Sequence, residues 1–169
     1  NTYYRSLQKE AGVQVCSKVV REDKSGVLRW MCAQALLDLA KEGGIEYIFM
    51  GLPDDPAALQ LPADHPNVND FPTTPQTYFW YEAGAFCRSV GPLLGGKVPV
   101  DKFRSYLKGT RTVERLLAME CLSYHGNDAD LEGIKLMVPD VLDIAAWNGA
   151  APTFGAYAQT IVDGWAQRH

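Results

Sequence analysis

Between Glu42 and Cys87 the chain contains no lysine or arginine, and it lacks most of the patterns that announce chemistry. No apolar stretch approaches the ~20 residues of a membrane span, because Arg88, Asp101 and clustered glycines interrupt each candidate. The three histidines, His65, His125 and His169, are far apart, and none sits in a His-x-x-x-His or Glu-x-x-His arrangement. Glu120 and His125 are five residues apart and fall on different faces of a helix, which excludes an inward-facing di-iron motif. No metal and no cofactor are therefore expected. A Gly-x-Ser-x-Gly elbow is missing, and no cysteine stands at a recognisable helix start beside a base, so no catalytic residue is assigned. Asn-x-Ser/Thr acceptors are absent as well. The four cysteines, Cys16, Cys32, Cys87 and Cys121, are too sparse for a disulfide-built scaffold and lie among apolar residues. They are expected to be buried thiols.

What is present describes one globular domain over residues 1–169. At this length, with 47% hydrophobic residues, folding removes roughly 70% of the unfolded chain's surface from water. The chain begins at Asn1, which reads as the loss of a leader or a cut from something longer, and no signal-peptide pattern remains. A net charge of −4 conceals segregation. Residues 1–41 carry seven basic side chains against four acids, and residues 88–117 carry seven against two. The intervening segment has seven acids and no base, and residues 118–169 have seven acids against Lys135 and Arg168. Such blocks can pair within one molecule or between copies, whereas a free nucleic-acid binder usually shows surplus positive charge.

Helical periodicity runs through most of the chain. Tyr3 to Arg21 repeats apolar residues every three or four positions, and Val27 to Lys41 does so again before Gly43-Gly44 closes it. Ile45 to Met50 is short and has no strand to pair with, so a helical turn is expected there. Thr74 caps a helix that starts at Pro75 and continues through Tyr78, Phe79, Trp80, Tyr81, Phe86 and Val90 to a stop or kink at Gly91-Pro92. Further helices are expected from Pro99 to Leu107, from Val113 to Tyr124, and from Asn127 to a break at Pro139. Another is expected through Val141 to Trp147, and a last one starts at Pro152. The fold class is all-α, a single-domain bundle of six to eight helices.

Six of the ten prolines fall between Gly51 and Tyr78. They define an extended connector over residues 52–75, placed between the second or third helix and the central aromatic helix. Long connectors of this kind usually bind or position something. Leu52, Leu59, Leu61, Val68 and Phe71 are its candidate interface anchors. A second candidate site is the basic stripe Lys97, Lys102, Arg104, Lys108, Arg111 and Arg115, which interleaves with Phe103 and Tyr106 and suits an anion or a nucleic-acid backbone. Gly109 can interrupt it. Gly91 to Lys97 fits Gly-x-x-x-x-Gly-Lys, but Val98 stands where the magnesium-holding hydroxyl belongs and the preceding segment is helical. A glycine-closed helix end accounts for it. Glu82, the one acid in its apolar run, is expected to be paired, with Arg88 as its candidate partner.

No family is identified from the sequence. Residues Phe86-Cys87-Arg88-Ser89-Val90-Gly91-Pro92-Leu93-Leu94 resemble a helix in the coat proteins of flexible filamentous plant viruses, where a Phe-Cys pair precedes an Ala-Pro and an apolar run. The aromatic and acidic motif that follows there is missing, and no residue role is carried over. The expected function is that of a non-enzymatic subunit of a larger assembly. It docks on other protein subunits or copies of itself through the connector and the charged blocks. The alternatives are a helical binder of an apolar ligand or pigment, a nucleic-acid coat using the 97–115 stripe, and an enzyme built on Glu82 or His125.

Overall fold

A computed structural model describes residues 2–59 and 74–169, with the helix alone over residues 2–7. The chain divides into two compact units, residues 1–68 and 69–169. Among the described residues there are eight α-helices and no strand, which is the all-α architecture read from the sequence. Connector residues 60–73 lie outside the described residues.

In the first unit, α1 (Thr2–Glu22) and α2 (Gly26–Ala40) form a hairpin that packs on α3 (Ile45–Gly51). Asp23 and Ser25 make the turn: Ser25 N donates to Asp23 Oδ1 at 2.7 Å, and Ser25 Oγ accepts the Leu28 amide at 3.3 Å. That cap satisfies an amide at the α2 start that has no partner inside the helix. Apolar spacing of three and four then sends Val27, Trp30, Ala33, Leu36 and Leu37 inward against Ile45, Ile48 and Phe49. Arg29 ties two helix ends together. Its Nε donates to Val20 O of α1 at 2.9 Å and its Nη2 to Met50 O of α3 at 2.5 Å, so one cation serves two carbonyl ends.

The connector does not begin as free chain. Pro56–Leu59 forms a 3-10 turn, and Pro53, Pro56, Leu52 and Leu59 are buried in the first unit.

The second unit is assembled around α6 (Thr112–His125), which is buried continuously from Leu116 to Ser123. It contacts the aromatic helix α4 (Pro75–Leu93), α5 (Val100–Leu107), α7 (Asp128–Lys135) and α8 (Phe154–Arg168). Thr74 and Asn127 cap α4 and α7 as their sequences indicate, the latter with a full capping box to Asp130. Two boundaries differ from expectation. Gly91 and Pro92 do not stop α4, which runs on to Leu93, because a proline in the last turn interrupts little of the remaining ladder. Residues 141–149 are not helical. Asp140 accepts the Leu142 amide at 2.9 Å and Asp143 the Ala145 amide at 2.8 Å, so aspartate-centred turns compete successfully with the helix. An isolated bridge joins Asp143 to Thr153, and Thr153, not Pro152, caps α8.

The expectation of four thiols is corrected at Cys87 and Cys121, which form a disulfide between α4 and α6 with a Cα–Cα distance of 4.8 Å. Both are fully buried, facing residues on helices in contact. The pairing was hidden by a separation of 34 residues.

Close backbone approach fixes glycine positions in both units, Gly44 and Gly155 among them. A Cβ on Gly44 would lie 2.7 Å from Leu36 O and nearer still to the Leu37 backbone, and one on Gly155 would lie 2.6 Å from Asp140 O and nearer to Val138 O. Backbone cannot move aside as a side-chain tip can. Gly44→Ala and Gly155→Ala should therefore each destabilise by roughly 2–4 kcal/mol, while Gly133→Ala and Gly149→Ala, which meet open space, should change little. Urea midpoints for the four variants check this, and equal midpoints would contradict the packing described.

Candidate functional site

Three places in the second unit have enough organisation to be weighed as sites. The first is the polar cluster inside it. Glu120 projects from the buried stretch of α6, and the Tyr157 hydroxyl of α8 donates to its Oε2. Arg168 Nη1 stands 3.5 Å from the same oxygen and donates to Ser123 Oγ, which donates in turn to Glu120 O at 2.6 Å. The Arg168 guanidinium lies over the Tyr124 ring at 4.8 Å, and Arg88 Nη1 is 3.4 Å from the Tyr124 hydroxyl. Burial pushes the Tyr157 phenol well above its ordinary value, with the Glu120 charge and hydrogen bond adding to it. A carboxylate held by a neutral phenol and a cation is satisfied.

Tyr157 extends this cluster into the aromatic core. Its ring lies tilted against Trp80 with centroids 4.8 Å apart, the Trp80 Nε1 donates to Trp147 O at 2.7 Å, and Phe79 meets Trp147 edge-on at 4.9 Å.

His125, weighed as a catalytic group, ends α6 as the sequence suggests. Its Nε2 is 2.5 Å from Cys87 O. A carbonyl only accepts, so Nε2 carries the proton and is engaged. Glu120 and His125 thus serve different partners, as their spacing implies. Glu82 is half-buried beside Tyr78, whose phenol is pushed up to about 12 by burial and then by the Glu82 charge.

The second place is the basic stripe, which the structure divides. Lys97 sits in the turn at Gly95 and Gly96, and α5 and α6 are separate helices with Gly109 between them. No strand precedes Gly91-Lys97 among the described residues, so the phosphate-loop geometry is not formed. The arginines are taken up by acids of the same unit. Arg104 Nε and Nη2 donate to Asp130 Oδ1 and Oδ2 at 2.7 and 2.8 Å, and its Nη1 reaches Asp101 at 2.6 Å. Arg111 pairs with Glu114 at 2.7 Å. Arg115 pairs with Asp140 at 3.1 Å and lies 4.0 Å over the Phe154 ring. Lys97 and Lys108 are exposed and Lys102 is half-buried. The basic block 88–117 thus meets the acidic block 118–169 within one unit.

Of the connector anchors, Leu52 and Leu59 are each 2% exposed inside the first unit. Their apolar surface is already spent there, which corrects their assignment to a neighbour's surface. Leu61, Val68 and Phe71 lie outside the described residues.

The third place was not singled out in the sequence. Leu136 and Val141 are 84% and 85% exposed, on either side of Pro139. Next to Leu136, Met137 joins Leu107, Leu122 and Gly133 in lining a cleft of about 210 Å³ between α5, α6 and α7, with the Arg104–Asp130 bridge at its edge. Sequence reasoning expected helix up to a break at Pro139 and again from Val141; beyond Pro139 two aspartate turns stand in place of the second helix. Among the described residues no group of three or more His, Cys, Asp or Glu is placed to hold a metal, and no helix is long and apolar enough to cross a membrane.

Two outcomes follow from the charges. Tyr157→Phe leaves Glu120 short of a donor and should destabilise by about 1–3 kcal/mol at neutral pH. The folded chain holds the Tyr157 proton above pH 10 while the unfolded chain releases it. Its contribution is therefore complete below pH 10 and is lost as pH rises beyond it. Urea titrations between neutral pH and pH 11 should show a shallower alkaline loss in the variant. Asp130 and Asp140 behave in the opposite sense. Hydrogen bonds from Arg104 hold Asp130 below its ordinary value, and the Leu142 amide followed by Arg115 does so for Asp140. Their contribution is present above pH 3.8 and fades as pH falls through the lowered values. Arg104→Met should flatten the acid limb of the stability profile, and a profile parallel to the wild type would remove the Arg104–Asp130 bond from the account.

Compared with known proteins, the chain matches no family model, no curated protein and no solved structure.

Proposed function

We propose that this chain is a non-enzymatic interaction subunit, working by docking on another protein subunit or a second copy within a larger assembly. One observation carries the reading: Leu136 and Val141 are almost fully exposed on a segment whose backbone is held in place. Asp140 accepts the Leu142 amide with its side chain and the Gly155 amide with its carbonyl at 2.8 Å, while Leu142 O accepts the Phe154 amide at 2.8 Å. Arg115 holds the Asp140 carboxylate from α6. Large apolar side chains kept in water by a fixed loop are the expected signature of a preorganised contact, because little further ordering is needed on binding.

The adjoining cleft supports the same reading. Its volume of about 210 Å³ is below the ~300–1,000 Å³ usual for small-molecule pockets, but it is suited to one inserted side chain of a partner, the way interface anchors are commonly seated. The alternative of an apolar ligand or pigment receives less support from this volume. A nucleic-acid coat draws little from a stripe whose arginines are bonded to acids. The connector residues 60–73 contribute to docking in this reading only as a second element.

Size-exclusion chromatography with light scattering tests the proposal, on the purified chain and on extracts of its source. The chain should run well above 18.7 kDa in at least one of the two. Leu136→Asp and Val141→Asp should each weaken that association at least about tenfold with unchanged helical circular dichroism. Because the contact is apolar, added salt should alter it little, in contrast to a phosphate-binding coat. Elution at the mass of one chain in both samples, or association indifferent to both substitutions, would overturn the reading.

A further inference from the structure

The two remaining cysteines belong to the first unit and lie at matched heights on its helical hairpin. Cys16 and Cys32 are each eight residues from Lys24, the middle residue of the turn between α1 and α2. Two helices joined by so short a turn run antiparallel, so residues equidistant from the turn face one another across the pair. One contact near the turn fits that register: Val20 O of α1 receives the Arg29 side chain of α2 at 2.9 Å, and the two residues stand four and five positions from Lys24. Each thiol is half-buried, and Cys16 is near enough to Cys32 to bear on its titration.

We propose that Cys16 and Cys32 are a second crosslinking site, a reversible disulfide that staples α1 to α2. The arrangement repeats that of the second unit, where Cys87 and Cys121 also join two helices in contact. The four cysteines thus resolve into two local pairs, one in each unit. Their accessibility differs. Cys87 and Cys121 are fully buried and shielded from small reductants, whereas the half-buried pair can be reached. Burial, ahead of Cys16 and Asp23, pushes Cys32 up to about 11. At neutral pH its thiol keeps its proton.

The oxidant is a low-molecular-weight disulfide. One cysteine, as thiolate, attacks it, forming a mixed disulfide and releasing one small thiol. The second cysteine then attacks the protein sulfur of that mixed disulfide, forming the Cys16–Cys32 bond and releasing the other small thiol. The protein loses two electrons and two protons, and the oxidant, reduced, gains them as two thiols.

Oxidised glutathione is the probe, applied to the full chain, followed by alkylation of remaining thiols, trypsin digestion and mass spectrometry without reductant. The expected product is peptide 10–18 joined to peptide 30–41, lighter than their sum by two hydrogens and separated again by dithiothreitol. Hydrogen exchange across α1 and α2 should slow at least about tenfold on oxidation, since the bond removes open states of the hairpin. In Cys32→Ser the same treatment should leave a stable glutathione adduct on Cys16. Both cysteines alkylated after oxidation, two separate glutathione adducts in the wild type, or a bond from either to Cys87 or Cys121 would each overturn the proposal.

Discussion

A carboxylate in the middle of a buried helix constrains the whole second unit. Glu120 is largely buried in the stretch of α6 between Leu116 and Ser123, and an unpartnered charge there would cost several kcal/mol. α8 supplies both the phenol and the guanidinium that answer it. The position of α8 along α6 is therefore set by chemistry as well as by shape. From Tyr157 the constraint passes to Trp80 on α4 and then to the Trp147 carbonyl, so a non-helical segment is fixed by the same chain of contacts that satisfies the charge. Apolar burial alone would tolerate small slips between these elements. Directional hydrogen bonds at both ends of the cluster do not.

The arginines show a related economy. Charge blocks that alternate along the sequence are compatible with pairing inside a molecule or between copies, and linear order cannot distinguish the two. In the second unit the geometry favours the inside. Asp130 is the N3 residue of the α7 capping box, already fixed by the Asn127 amide; a carboxylate preorganised by its helix is a better partner for the two donors of Arg104 than a mobile one would be. Asp140 is likewise fixed by the Leu142 amide before Arg115 meets it. Both acids hold a local turn and a distant cation at once. The positive potential of the stripe is spent on internal architecture, and Lys97 and Lys108 are its exposed residues.

What was legible in the sequence was what depends on neighbours along the chain. The hydroxyl and amide caps at Thr74 and Asn127 are local signals, and each forms as expected. Helical periodicity likewise carried the all-α fold. Two of the failures are cases in which a residue's role is set across space, and the third is a local competition. Cys87 meets Cys121 over 34 residues of sequence. Leu52 and Leu59 look like anchors on a proline-rich connector, but Pro53 and Pro56 turn the chain back so that both enter the first unit's core. Between Asp140 and Asn148 the apolar spacing suits a helix, yet three side chains in a row accept nearby amides and impose turns. Periodicity records which residues are apolar. It does not record that Asp140, Asp143 and Asn148 offer the backbone a competing set of bonds.

That last competition is why the exposure of Val141 was invisible at the level of sequence. Had residues 141–149 been a helix, Val141 would have faced inward with Ile144. The turns bury Ile144 and Trp147 and leave Val141 in water. A surface apolar residue with no structural consequence is commonplace. Here the exposure is produced by a loop with its own aspartate bonds, an arginine from the central helix and a bridge to the start of α8. Much of the second unit's polar bonding capacity goes into holding that loop still. A loop needed merely to join α7 to α8 would have no use for such rigidity, because flexible connections of this length carry little entropic penalty. Rigidity becomes useful when the loop's shape must match something outside it, and this is the physical ground on which a docking role is stronger than a passive one.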